Sequence, residues 1–334
     1  MSIDILKINK PIWFMRQAGR HLPEYRKLRL KKESFLEFCF DLDSIVETTL
    51  QPVKRYDIDC AIVFSDILVI PFLFGQGVSF EKGVGPNLEN LSLTELLNLK
   101  QSNYERDKLG ETYGAIKKIR SLLNKNKSLI GFCGAPWTVA CYMIDGNSRR
   151  GFGLSKESIR KNKNYLDSLL DKIVDASISH LVKQYESGCD TLMIFESWAG
   201  LVSFNNRIDI LYKPVQKIID GLRKRMVKAP VIVFPRGLGV GVIDYIRNVS
   251  VDVLSIDYEI DINWALENIN KDIILQGNLN PELLVTGGNK LDEEVIRIKN
   301  SVGNRHHIFN LGHGLLPQTP VKNVHRFIEI VRSQ

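Results

Sequence analysis

The sequence predicts an α/β fold, a (β/α)8 TIM barrel made by a single domain over residues 1–334. Three observations point there. Eight short apolar runs rich in β-branched and aromatic residues recur along the chain, patterns of helical period lie between them, and polar or charged residues stand at or beside the C-terminal ends of most runs. Continuous apolar runs, as opposed to alternating ones, mark strands covered on both faces, the condition of a parallel sheet whose crossovers are helices. The C-terminal face of such a barrel is where its chemistry is built. A doubly wound sheet shares the first two features and is the alternative architecture.

The first run is PIWFMR (11–16), which ends on Arg16, and the second is AIVFSD (61–66), which ends on Asp66. The interval from there to LIGFC (129–133) exceeds one crossover, so an insertion is expected around the glycines at 75, 77, 83 and 85. TLMIFE (191–196), VIVFP (231–235), VLSID (253–257), IILQGN (273–278) and HIFNLGH (307–313) complete the set. Glu196, Arg236, Asp257, Asn278 and His313 close or follow these runs. The clearest helix carries Leu166, Leu169, Leu170, Ile173, Val174, Ile178, Leu181, Val182 and Tyr185 on one stripe, with Gly188 placed to end it. Similar stripes cover 41–56, 104–123, 207–226, 291–302 and 320–332.

Composition narrows the function classes. With 334 residues, 44% of them hydrophobic and 25% charged, the chain is globular and has material for a large core. Lys+Arg exceed Asp+Glu by 45 to 38, a net charge of +7. The excess is spread along the chain with no long basic arm of the nucleic-acid type, and it fits an acidic small molecule as well as it fits a polyanion. Five cysteines without a CxxC pair, and an N-terminus without an apolar signal core, predict a reducing, cytoplasmic setting. The mostly apolar stretch from Cys60 to Val78 is not expected to span a membrane. Asp66 at mid-span would cost about 3 kcal/mol, and Pro71 breaks the pattern, so it reads as a buried strand followed by an apolar loop.

MRQAGR (15–20) sets the guanidiniums of Arg16 and Arg20 on either side of Ala18-Gly19, directly after a buried strand. Each can grip a carboxylate through paired hydrogen bonds, with surface ion pairing as the other use. In FSDIL (64–68) the lone carboxylate Asp66 is a cap, an ion-pair partner or a site residue, since a buried Asp without partners is costly. GFCGAPWTVACYMIDG (131–146) supplies Tyr142 as a core ring or a hydroxyl donor; its Cys133 and Cys141 have no third ligand at metal spacing. Ser197 in FESWAG (195–200) lacks the GxSxG context of a nucleophile and reads as a hydrogen-bonding hydroxyl. GLGVG (237–241) has Asp257 twenty residues after Gly237 but valine at 242, so the dinucleotide fingerprint is incomplete and a backbone turn is preferred. His313, between two glycines in NLGHGLLPQTP (310–320), is placed either to donate to an anion and shuttle protons or to cap a helix. His306 and His307 have no metal-ligand spacing.

Taken together, PIWFMRQAGRHLPEYRKLR, AIVFSDIL, GFCGAPWTVACYMIDG, FESWAG, ILQGNLNP and FNLGHGLLPQTP, in this order between residues 11 and 320, closely resemble the uroporphyrinogen decarboxylase family. The resemblance implies a cytosolic homodimeric barrel that removes the four acetate carboxyls of uroporphyrinogen III, giving coproporphyrinogen III and CO2 in haem biosynthesis. It implies no cofactor and no metal. It also implies that Arg16, Gln17, Ala18, Gly19 and Arg20 form a substrate-binding segment and that Asp66 is the central catalytic carboxylate. Tyr142, Ser197 and His313 would be further contacts, and Phe195 would contribute through its backbone. Two departures are visible, Asn280 where GNLDP is common and Cys141 within the GAPWT segment. The alternatives are a related barrel methyltransferase, which would need zinc held by His and Cys, and a non-catalytic tetrapyrrole-binding protein, which would need the arginines but not Asp66.

The resemblance agrees with the residues read on their own. Loss of CO2 needs an electron sink, and a protonated pyrrole is one, so the substrate supplies what a cofactor supplies elsewhere. The protein must hold many carboxylates, stabilise a transient cation and deliver protons. The expectation for Asp66 is that nearby Arg16 or Arg20 outweighs burial and keeps it ionised.

Overall fold

A computed structural model describes residues 3–81, 85–100, 103–149 and 151–333. Seven parallel strands form one curled sheet: β1 (Cys60–Ile62), β4 (Ser128–Gly134), β5 (Thr191–Glu196), β6 (Val231–Pro235), β7 (Val253–Ser255), β8 (Ile274–Leu279) and β9 (His307–Leu311), paired in that order. An antiparallel hairpin, β2 (Val78–Glu81) and β3 (Gly85–Leu88), stands apart from the sheet. Helices form the crossovers, so each strand returns parallel to the one before.

Seven of the eight expected runs thus form strands of the curled sheet. The run 11–16 forms no strand of its own and pairs only at an isolated parallel bridge, Ile12 to Phe309. Its backbone is used by both neighbours at once. Phe309 donates to the Pro11 carbonyl at 2.8 Å and Trp13 to the Phe309 carbonyl at 3.2 Å, while Asp59 donates to the Ile12 carbonyl at 2.9 Å. The Ile12 N–H is taken by the Asp59 carboxylate at 2.7 Å, a side chain where a ladder would use a carbonyl, and this interrupts regular pairing.

Side chains alternate across the sheet and make two apolar cores. Ile62, Ile130, Phe132, Met193, Ile232, Phe234 and Ile308 point into the concave face with Trp13 and Met15. Their neighbours in sequence, among them Ala61, Leu129, Leu192, Ile194, Val231 and Val233, join the larger core beneath the helices. On β5 the alternation puts Phe195 on the inner face and Glu196 toward the helices. Inside, Trp13 donates to Gln276 Oε1 at 2.9 Å and Gln276 to Ser255 Oγ at 3.0 Å, so the polar atoms of this layer are partnered.

Most helices stand where the stripes put them: Leu42–Arg55, Asn103–Leu122, Lys163–Glu186, Asn289–Val302 and Val321–Arg332. The stripe at 207–226 divides into a π-helical turn, Ile208–Tyr212, and an α-helix, Lys213–Lys224. The insertion holds a five-residue helix (Val69–Leu73), the hairpin and the helix Leu93–Asn98. Gly75 and Gly85 turn there with φ of 84° and 99°, and Gly83 lies outside the described residues. The apolar loop expected after β1 is thus partly helical, with Pro71 at the third helical position, where its missing N–H costs no intrahelical bond. Asn280 caps the helix Pro281–Thr286 by accepting from the Glu282 N–H at 3.0 Å, so the departure from Asp keeps the capping function. Cys141 is packed in the core, and all five cysteines are buried and free.

Candidate active site

The loops after the strand C-termini bring several separate sequence signals to one mouth. Arg16 follows the extended segment 11–15 in a left-handed conformation, φ 61°, which turns its side chain over the mouth. The Gln17 side chain locks this turn. Its Oε1 accepts from the Phe14 N–H at 3.0 Å and its Nε2 donates to the Cys60 carbonyl at 3.0 Å. Gln17 is buried with both ends of its amide used, so its side chain supports the segment from below. Gly19 is required by close approach, because a Cβ there would lie 2.8 Å from the Arg16 carbonyl oxygen. Ala18 is half-buried beside it, and Arg20 is exposed.

Asp66 lies beyond the end of β1, where it starts the chain toward the helix Val69–Leu73. Its Oδ1 accepts from the Leu68 N–H at 2.9 Å. Burial raises its pKa, and the Leu68 hydrogen bond and the charge of Arg16 offset that only in part. The direction of the shift at Asp66 is therefore set by burial, because a single nearby cation and one N–H replace less hydration than the site removes. Arg16 is open to water yet crowded by protein. Its pKa is lowered by desolvation first; Asp66 and Tyr142 oppose this, and Arg20 and Arg236 add to it.

Tyr142 projects from the helix Pro136–Asp145, whose start is pinned to the end of β5. The Thr138 hydroxyl bonds the buried Glu196 carboxylate and accepts from the Trp198 N–H at 3.2 Å, and Trp137 Nε1 donates to the Trp198 carbonyl at 3.1 Å. The Tyr142 ring packs edge-on against Phe152 at 5.2 Å and Trp198 at 6.5 Å. Burial raises its pKa, so the phenol holds its proton. The acid of Glu196 is pushed up to about 8, chiefly by burial.

His313 follows β9, and the Gly314 N–H donates to its Nδ1 at 2.7 Å. A neutral ring so engaged carries its proton on Nε2. Burial, then the charges of Arg16 and Arg236, push its pKa down to about 3. His313 is therefore a neutral donor, not an imidazolium. Ser197 is half-buried on the rim of a cavity of about 210 Å3 that Trp198, Arg236, Asp257 and Tyr258 also line. Phe195 reaches the mouth on the inner face, but its carbonyl accepts from the Ala135 N–H at 2.9 Å, an ordinary sheet-to-turn bond. Arg16, Arg20, Asp66, Tyr142 and His313 thus share one electrostatic neighbourhood, and Ser197 joins it through the Arg236 cavity.

Arg236 belongs to this neighbourhood although the motifs assigned it nothing. The available signal was its place directly after a fully apolar strand. The GLGVG turn proves structural, since Asp257 Oδ2 accepts from the Gly237 N–H at 2.7 Å and the spacing of twenty residues serves a backbone strap. Among the described residues no group of three or more His, Cys, Asp or Glu is placed to hold a metal ion, and no helix is long and apolar enough to cross a membrane.

A uroporphyrinogen decarboxylase of Rickettsia felis is 42% identical over 333 residues, covering 99% of this chain and 96% of the relative. That of Rickettsia massiliae is 41% identical over 322 residues, 96% of this chain and 92% of its own. Among solved structures, a methyltransferase from Methanosarcina mazei superposes with a TM-score of 0.75 at 18% identity, covering 99% of this chain and 93% of the other, a likeness of fold alone. The family model for uroporphyrinogen decarboxylase matches residues 9–334, and the chain belongs to that family.

Proposed function

We propose that this protein decarboxylates the four acetate arms of uroporphyrinogen III to give coproporphyrinogen III, with no cofactor. The observation that carries the reading is the convergence of Arg16, Asp66, Tyr142 and His313 at the mouth of the sheet, with the guanidiniums of Arg16 and Arg20 in no ion pair among the described residues. A substrate with eight carboxylates supplies the missing counter-charge. Arg16 and Arg20 grip carboxylates, and His313 Nε2 and the Tyr142 hydroxyl donate to others.

The chemistry runs on the substrate's own ring. A proton added to the pyrrole carbon adjacent to the acetate-bearing carbon makes the ring cationic. The electrons of the C–CO2 bond then move into the ring, CO2 leaves, and an exocyclic methylene remains. That carbon takes a proton to become methyl, the first ring proton is lost, and one proton is consumed per CO2 released. Asp66 stabilises the cation from a fixed position. The neutral histidine and the high phenol pKa suit donation of hydrogen bonds to carboxylates, so proton delivery runs through water or through Arg16 held at the same mouth.

The same reading takes the segment 11–15 as the eighth stave of a (β/α)8 barrel, supported by its hydrogen bonds to both β9 and the start of β1. It takes the protein as a cytoplasmic homodimer, for which sedimentation of the purified protein is the test. Incubation with uroporphyrinogen III and separation of the products by carboxyl number tests the activity. Products of seven, six, five and four carboxyls are expected, and binding without turnover would leave only a tetrapyrrole-binding protein.

A further inference from the structure

The cavity beside Ser197 contains a cation that the roles above leave unused. Arg236 follows β6, and its backbone is held on both sides by the β5 loop. Its N–H donates to the Glu196 carbonyl at 3.1 Å and its carbonyl accepts from the Gly200 N–H at 3.1 Å. The two loops touch so closely that a Cβ on Gly200 would lie 2.7 Å from the Gly237 carbonyl oxygen. Arg236 thus stands on a rigid platform, which lowers the entropy lost when its side chain engages a ligand.

Its guanidinium is unspent. Partly buried cations elsewhere are matched: Arg120 to Asp190 at 2.7 Å, Arg305 to four backbone carbonyls. Arg236 makes no side-chain hydrogen bond or ion pair among the described residues, although Asp257 and Glu259 line the same cavity. Asp257 is occupied, its Oδ2 by the Gly237 N–H at 2.7 Å and its Oδ1 by the Glu259 N–H at 3.1 Å. A half-buried guanidinium left unpaired on a rigid seat, beside the Ser197 hydroxyl, has the chemistry of an anion site.

We infer that Arg236, with Ser197, binds a peripheral carboxylate arm of the tetrapyrrole in this cavity. The inference rests on the decarboxylase reading and extends its cations from two to three. The space of about 210 Å3 accepts a two- or three-carbon acid arm while the macrocycle spans the mouth toward Asp66. Arg236 shares the electrostatic surroundings of both Arg16 and His313, so the three donors can hold neighbouring arms of one ring. Arg236 acts on binding and register, and the reacting carbon lies with Asp66.

The test compares wild type with R236Q, R236K and R236A in steady-state turnover of uroporphyrinogen III and in binding of coproporphyrinogen III, which keeps the four propionates and no acetate. Loss of one charged hydrogen-bond partner is expected to raise KM about tenfold to a hundredfold, with a much smaller change in kcat. R236K is expected to recover part of the loss, because it keeps the charge and loses the planar fork. Equal weakening toward coproporphyrinogen assigns a propionate to the site, and weakening confined to uroporphyrinogen assigns an acetate. Thermal unfolding of each variant separates binding from folding, and R236K retains the stem if R236A proves unstable. Unchanged KM in well-folded R236Q and R236K overturns the inference while leaving the decarboxylase reading intact. A wild-type protein that neither binds nor turns over porphyrinogen overturns both.

Discussion

Gly314 has no side chain because the stem of Arg16 runs beneath it: a Cβ at Gly314 would lie 2.7 Å from Arg16 Cγ and 3.0 Å from its Nε. The last strand's loop therefore sets the direction of the first segment's guanidinium, across nearly the full length of the chain. The same Gly314 donates its N–H to His313, so one residue without a side chain disposes two donors of the site.

Gly314→Ala is expected to push Arg16 aside while leaving the core untouched. Overpacking of this kind costs about 1–3 kcal/mol, which at the mouth appears as a loss of roughly tenfold or more in kcat/KM. Kinetics and thermal unfolding measured together check this. A large fall in Tm with normal kcat/KM would place the strain in folding instead.

Arg16→Ala is expected to lower kcat/KM for uroporphyrinogen by about tenfold to a hundredfold, the worth of a charged hydrogen bond. Arg16→Lys is not expected to restore it, since a point charge cannot reproduce the paired geometry. Identical kinetics in wild type and both variants would remove Arg16 from the site.

Asp66→Asn keeps the shape and deletes the charge. If Asp66 stabilises a ring cation, turnover should fall by the roughly 3–4 kcal/mol typical of one fixed group aimed at developing charge, while substrate binding survives. Asp66→Glu tests position, because an added methylene moves a carboxylate whose Oδ1 is set by the Leu68 N–H. Near-normal turnover by the Asn variant would reduce Asp66 to a cap.

Glu196 gives a pH dependence with a defined sign. Its pKa is raised from an ordinary 4.5 to about 8, so the folded state binds the extra proton between those values. Stability from this group is fully present below about 4.5 and is lost as the pH rises through about 8. Glu196→Gln keeps the shape without a titrating group, so its unfolding free energy should decline less between pH 5 and 8 than that of the wild type. Denaturant titrations at four pH values across that window suffice, and parallel curves for the two proteins would show that the acid does not titrate there.

The histidines act in the opposite direction. Burial pushes His21, His180 and His307 down to about 4, and His313 to about 3. The unfolded chain therefore binds more protons below about 6.5, and stability falls as the pH drops from there toward 3–4. In a histidine-detected NMR titration of the free enzyme, the His313 resonance should stay that of the neutral ring from pH 8 to 5. A midpoint near 6.5 would refute its burial.

How much of this was legible depended on whether the cause was local. The strands 191–196 and 231–235 coincide with their apolar runs, because each run is covered on both faces for its whole length. AIVFSD (61–66) shares its apolar character, yet β1 ends at Ile62. Phe64 donates its N–H to Thr49 Oγ1 at 2.9 Å, a partner on a helix that periodicity cannot name. The run 11–16 failed as a strand for the same reason, since the Asp59 carboxylate replaced a ladder carbonyl.

Composition and motif order by themselves determined the class of fold and the family resemblance, and they offered as candidates Arg16, Arg20, Asp66, Tyr142 and His313, which the structure brings to one mouth. Those properties follow from which side chains are apolar, at what period, and which polar groups interrupt them. Only the tertiary structure decided what each polar group has left to offer. Gln17 and Arg236 both stand just past buried segments, yet both ends of the Gln17 amide are satisfied by backbone and the Arg236 guanidinium is left free. Likewise burial, and not the neighbouring arginine, sets the direction of the shift at Asp66. Hydrogen-bond satisfaction and desolvation depend on every atom within a few ångströms, and those atoms come from strands and helices far apart in the chain.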